Sequence, residues 1–156
     1  GECVMHEYWN NPEETAKMLR NGWLYTGDIG RIDEEGFLII CDRKKDLIIT
    51  GGFNVFPSEL EAVAITAENV ADAIAIGVPN ERRGEVPAIF VQPIAGKTVD
   101  LNEVERVCRE KLSRFKVPKE YYIMDMLPKT KNRKPDRKMV KKLYLEHAFD
   151  DQKKEQ

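Results

Sequence analysis

The sequence predicts an α+β fold: a small two-layer domain of split βαβ order, with helices on a mostly antiparallel sheet, preceded by a β-hairpin. Three observations predict it. From Asp46 onward the strand and helix signals run β-α-β-β-α-β, with one more helix at the end. Leu101, Val104, Cys108, Leu112 and Phe115 recur at spacings of three and four, as the inner stripe of a helix does. Ahead of Asp46, "WLYTGDIGRID" and "FLIICD" read as two strands joined by a turn at "EEG".

Taken in order, Asn11-Pro12 opens a short polar helix, "PEETAKMLRN", that Gly22 stops. The hairpin follows. "DLIIT" (46–50) is a short apolar strand that ends at Gly51-Gly52. Ser58 with Glu61 has the spacing of a capping box and starts a helix running to about Ala67. "VADAIAIGV" (70–78) and "VPAIFVQP" (86–93) are strands joined by a polar loop. Asp100 caps the next helix, Pro118 ends it, and "YYIMDML" is a further strand. The last helix spans about Pro135 to Phe149, with Met139, Leu143 and Phe149 on one side; the polar end, "DDQKKEQ", frays.

Composition bounds the function. The chain has 156 residues, 42% hydrophobic and 33% charged, with a formal net charge of −2. As a whole it is not drawn to nucleic acid or anionic lipid. No apolar run has transmembrane length, and no secretory signal stands at the start. Membrane association of an intact protein is not indicated. Cys3, Cys41 and Cys108 are widely spaced and, with only His6 and His147, leave little for a zinc site, so no metal ligands are assigned. Cys41 and Cys108 fall in apolar patterns and read as buried thiols, which suits a reducing, cytoplasmic setting. The opening "GECVMHEYW" reads as mid-protein sequence, so a piece of a longer protein is expected.

Charge is uneven: Lys129 to Lys142 holds eight basic residues against one acid, Asp136. Only Tyr144 offers an aromatic platform nearby, which is thin support for nucleic-acid binding. Other single signals are modest. Asp28 in "YTGD" could accept hydrogen bonds from two neighbouring sugar hydroxyls, or satisfy its own turn, and alone the turn is preferred. Arg43 in "CDRKKD" could fork onto phosphate or ribose oxygens, or stand in a solvated turn. Gly51-Gly52 permits positive φ and close approach of a ligand; a bulge explains it equally well.

Together these motifs form a pattern. "GWLYTGDIGRIDEEGFLIICDRKKDLIITGGFNVFPSELE", then "AIGVPNERRGEVPAIFV", "SRFKVPKEYYIMDMLPKT" and the KxxR from Lys134 to Arg137, resemble the adenylate-forming enzymes. These include acyl-CoA synthetases, luciferases and peptide-synthetase adenylation domains. "DRKKD" with "GGFNVFPSELE" looks most like the medium- and long-chain fatty acyl-CoA ligases. The resemblance covers nearly the whole chain. It implies that residues 1–44 are the terminal strands of a large N-terminal, β-barrel region and 45–156 a mobile small domain. It implies an acid–thiol ligase using ATP, Mg2+ and CoA on a fatty acid, in two steps, and inactive without the large domain of the same polypeptide. Asp28 matches the aspartate that holds the ATP ribose, and Arg43 a nucleotide-contacting arginine. Lys45 matches the hinge. Gly51 and Gly52 match the glycines beside the pantetheine tunnel, and Lys134 the adenylation lysine. The family's pattern has glycine where this chain has Arg133. Two alternatives stand beside this reading: an adenylate-forming enzyme for another acid or acceptor, and a free-standing module binding a nucleotide or acidic partner.

Overall fold

A computed structural model of the protein describes residues 1–146 and 148–152. The chain divides into two compact units, Gly1–Lys45 and Asp46–Gln156.

The first unit is built from local turns. Asn11 caps α1 (Pro12–Met18) by accepting from the Glu14 N–H at 3.1 Å. The helix is shorter than the sequence predicts. Leu19–Arg20 (β1) leaves it to pair with Trp23–Leu24 (β2), and Asn21 and Gly22 between them both have positive φ, 51° and 78°. Gly22 is therefore a hairpin residue rather than a helix stop: Asn-Gly suits the two left-handed positions of a type I′ turn. The predicted hairpin forms from β3 (Asp28–Ile32) and β4 (Leu38–Arg43), antiparallel, with a register shift between Ile29 and Gly30. A 3-10 turn, Lys44–Asp46, follows.

The second unit is the α+β domain. β5 (Ile48–Thr50) and β6 (Phe53–Val55) form a hairpin across Gly51-Gly52. Helix α2 (Pro57–Ala64) follows, then the long antiparallel pair β7 (Val70–Asn80) and β8 (Gly84–Pro93). Helix α3 (Leu101–Lys111) carries the chain to β9 (Glu120–Ile123), which lies parallel to β8. β5 meets β8 at Thr50↔Gly84, and α4 (Arg137–Leu145) is followed by a 3-10 turn, Asp150–Gln152.

The sheet is buried on both faces, which is why "ADAIAIGV" is a nearly continuous small and apolar run. Ala73, Ala75, Ile89, Val91 and Tyr121 face one core with α2 and α3. Ile74, Ile76, Ala88, Phe90 and Tyr122 face the other, which Val140 of α4 and Phe149 close.

Several local readings change. Phe56, not a side-chain acceptor, stands at the α2 cap, and Ser58 is the second residue inside the helix rather than its cap. α3 ends at Lys111, well before Pro118, and Phe115 reaches the core by stacking on Phe53 at 4.8 Å. Asp100 caps α3 as predicted, accepting from the Asn102 N–H at 2.8 Å. In α4 the inner residues are Val140, Leu143 and Tyr144, whereas Met139 is exposed. Cys108 is buried; Cys41 is only partly so. The end is held as far as Gln152, whose side-chain amide clasps the Ile123 backbone at 2.8 and 3.1 Å. Lys153 to Gln156 and His147 lie outside the described residues. No helix among the described residues is long and apolar enough to cross a membrane.

Candidate active-site residues

In the first unit the β3–β4 register sets Asp28 opposite Arg43 at the open end of the hairpin. Arg43 Nε lies 3.2 Å from Asp28 Oδ1. At the turn it is Thr26 Oγ1 that accepts, from the Asp28 N–H at 3.1 Å, while the Asp28 carboxylate pairs with Arg43. Both side chains remain open to solvent, and an exposed pair of this kind is worth at most about 1 kcal/mol. A ligand with vicinal hydroxyls and phosphate oxygens could separate the two groups at little cost. Lys45, exposed within the 3-10 turn, is the last residue of this unit.

In the second unit Gly51 and Gly52 are the two turn residues of the β5–β6 hairpin, with φ of 55° and 85°. They make a type I′ turn rather than a bulge. A Cβ on either would meet no atom of the chain within 4 Å, so it is backbone conformation that calls for glycine, and the surface there is left free of side chains. The turn is tied to the β7–β8 connection by the Gly51 N–H, which donates to the Arg83 carbonyl at 3.1 Å. Positive charge gathers in this part of the domain. Burial, with the nearby charges of Arg83, Arg109 and Arg114, holds Lys119 below the usual lysine range.

Lys134 is exposed in the loop between β9 and α4. The loop is a short closed turn: the Arg133 N–H donates to the Thr130 carbonyl at 2.8 Å, and the Thr130 N–H to the Lys134 carbonyl at 2.8 Å. Lys129 bridges Pro135 across its base. Arg133 has φ 59°, the left-handed position that glycine fills at least strain in such loops, which accounts for the glycine of the family pattern. The helix starts two residues later than predicted, at Arg137 with Asp136 as cap, so Lys134 belongs to the turn and not to the helix entrance.

Sequence reasoning missed what holds this loop. Lys129 Nζ pairs with Asp72 Oδ2 at 3.0 Å. The Leu127 N–H donates to Gln92 Oε1 at 2.8 Å. Arg137 Nη2 contacts both carboxylate oxygens of Glu61, at 2.8 and 2.7 Å, and Glu61 Oε1 also accepts from the Ala75 N–H at 2.8 Å. One signal could have found Glu61. Pro57, Leu60 and Ala64 are the buried positions of α2, and Glu61 falls within that stripe. A carboxylate on the inner face of a helix needs a cation.

The asymmetry of anchoring has a geometric consequence. The lysine loop is fastened beside Asp72 and Gln92, at one end of the β7–β8 pair. The glycine turn is fastened beside Arg83 and Gly84, at the other. The eight residue steps from Asp72 to Asn80 put these anchorages roughly 25 Å apart.

Comparison with known proteins finds relatives along most of the chain. Residues 59–134 match the AMP-binding enzyme C-terminal domain. The chain is 48% identical over 130 residues to a long-chain-fatty-acid–CoA ligase of Bacillus subtilis, covering 83% of this chain and 23% of that protein. It is 45% identical over 143 residues to a 2-succinylbenzoate–CoA ligase of Geobacillus kaustophilus, covering 92% and 29%. The structure superposes with a TM-score of 0.82 on the o-succinylbenzoate CoA synthetase of Bacillus subtilis solved with its acyl-adenylate intermediate, at 37% identity, over 88% of this chain and 28% of that one. The chain thus spans less than a third of the length of these relatives. It carries an AMP-binding enzyme C-terminal domain, its homologues are acyl-CoA ligases, and its structural neighbours are adenylate-forming enzymes.

Proposed function

We propose that this chain is the C-terminal part of an AMP-forming fatty acyl-CoA ligase, working with a large N-terminal domain of the same polypeptide in the cytoplasm. The observation that carries the reading is the placement of the lysine loop and the glycine turn at opposite ends of the β7–β8 pair. Anchorages roughly 25 Å apart support a reading in which the two serve different steps rather than one reacting centre.

In the first step a carboxylate attacks the α-phosphate of ATP and pyrophosphate leaves. Two anions must approach, and the Lys134 ammonium offsets their repulsion and follows charge as it builds. At about 4 Å and an effective dielectric near 20, one such charge contributes about 4 kcal/mol before desolvation. Asp28 accepts the ribose hydroxyls, and Arg43, released from it, faces the nucleotide's oxygens. In the second step the domain pivots about Lys45, Lys134 withdraws, and Gly51-Gly52 leaves room for the pantetheine arm while the CoA thiol attacks the acyl carbon and AMP departs. The cationic surroundings of Lys119 suit the phosphates of CoA. Mg2+ would enter with ATP, and among the described residues no group of three or more His, Cys, Asp or Glu side chains is placed to hold a metal ion.

The test is acid-dependent ATP–pyrophosphate exchange by the complete ligase that contains this chain, across a series of fatty acids with 2-succinylbenzoate alongside. Fatty acids should support exchange. Lys134→Ala should abolish it while preformed acyl-adenylate is still converted to thioester, and a proline at Lys45 should spare one half-reaction and impair the other. Exchange with 2-succinylbenzoate alone would move the protein to the second acid, a reading that the 45% identical relative favours. Tight nucleotide binding by residues 1–156 alone, with no exchange by any longer form, would favour a binding module.

A further inference from the structure

We propose that Glu61 is a positioning residue for the adenylation step, acting on Lys134 through Arg137; the proposal rests on the role given to Lys134 above. Arg137 lies three residues beyond Lys134, at the first turn of α4, and its guanidinium is largely buried, as is the Glu61 carboxylate. Arg137 Nη2 makes both contacts to Glu61, and Nε is buried without a hydrogen-bond partner among the described residues. The charge of Arg137 is therefore balanced at one place, the Glu61 carboxylate. Glu61 in turn cannot drift, because it sits within the buried stripe of α2 and accepts from the Ala75 N–H of β7.

The result is a rigid post at one end of the loop. The other end has its own fastenings, at Asp72 and Gln92. Lys129–Asp72 is more exposed than Arg137–Glu61, with side chains 47% and 30% accessible against 21% and 12%, so the Arg137 end is the one solvent competes with least. Between the posts the closed turn from Thr130 to Lys134 sets the origin of the lysine side chain to within its own backbone hydrogen bonds. A side chain that must enter the gap between two anions needs a fixed Cα if its long flexible arm is to arrive in productive geometry, and displacement by about 1 Å costs of the order of 100-fold in rate. Glu61 touches neither nucleotide nor acid in this scheme. It acts by fixing where Lys134 begins.

The experiment uses the complete ligase with Glu61→Gln, Glu61→Asp, Arg137→Lys and Lys134→Ala. Three readouts are compared: ATP–pyrophosphate exchange, thioester formation from preformed acyl-adenylate, and amide hydrogen exchange over 130–136. Glu61→Gln should lower kcat for exchange roughly 10- to 100-fold with the KM for ATP little changed. Thioester formation should be preserved, and the amides of Thr130, Arg133 and Asp136 should lose protection. Glu61→Asp, which keeps the charge on a shorter arm, should recover part of the loss. If Glu61→Gln proves too unstable to purify, Arg137→Lys, which keeps the charge and gives up the fork, carries the same expectation in weaker form. Unchanged protection of the loop overturns the bracing. Loosened amides with both half-reactions intact, or equal loss in both half-reactions, overturns the positioning role. Retention of exchange by Lys134→Ala is seen independently of any Glu61 variant, and would sink the assignment of Lys134 and this inference with it.

Discussion

The two units are made of the same kinds of short strand and tight turn, yet none of residues 1–45 is buried, while Asp46–Gln156 closes two cores around one sheet. Trp23, Phe37, Leu38 and Ile40 stand exposed in the first unit at 73%, 66%, 66% and 58%. Asn21-Gly22 and the β3–β4 pairing specify its hairpins well, but hairpins without a covered apolar face have little stability of their own. Local chemistry shapes a segment; burial makes it a domain. The first unit thus leaves apolar surface uncovered, and the proposed function would have a large N-terminal domain cover it.

The largest effect should come from separating the units. Residues 46–156 expressed alone should unfold cooperatively in urea, whereas residues 1–45 alone should show no transition, since about 40 residues without disulfide or metal rarely support a core. A cooperative transition from 1–45 would break the comparison. Next, equivalent truncations should diverge: Phe90→Ala should cost about 3–5 kcal/mol and Phe37→Ala no more than about 0.5 kcal/mol, both read from chemical denaturation of the chain. The ion pairs should repeat the contrast on a smaller scale. Glu61→Gln should destabilise by about 2–3 kcal/mol because it leaves the Arg137 charge unbalanced in a mostly buried site, and Asp28→Asn by less than about 1 kcal/mol. Smallest is a backbone effect. Arg133 and Asn21 both have positive φ. Arg133→Gly should raise the unfolding free energy by up to about 1 kcal/mol, and Asn21→Gly should leave the cooperative transition where it was. A matching shift from Asn21→Gly would mean that the first unit shares the core's cooperativity.

Much of the architecture was legible where one residue's chemistry decides locally. Asp100 before an apolar stripe gave α3 its start, and the alternation of "VADAIAIGV" with "VPAIFVQP" gave the central pair. The misreadings share a cause. Ser58–Glu61 has the spacing of a cap, but Glu61 is claimed by Arg137 from across the domain. Phe115 continues the α3 spacing, but stacking on Phe53 draws it out of the helix. Asn21-Gly22 carries its own turn signal, but the polar helix pattern runs straight into it. In the candidate site, motif order pointed to Asp28, Arg43, Lys45, Gly51, Gly52 and Lys134; the structure sets Asp28 beside Arg43 and the two glycines in one turn. It could not show which groups hold the lysine loop, because Asp72, Gln92 and Glu61 are brought to it by tertiary packing and not by spacing.

The Glu61–Arg137 pair spans 76 residues of sequence. At about 5–20 residues per second, a ribosome adds Arg137 roughly 4–15 s after Glu61. During that interval α2, β7 and β8 can assemble, but they hold a carboxylate on their inner side with no cation to meet it, and Val140 and Phe149 have not yet arrived to cover the second face of the sheet. The order of synthesis therefore keeps the domain ajar until α4 is made, and the side chain that braces the lysine loop emerges long after the carboxylate it meets.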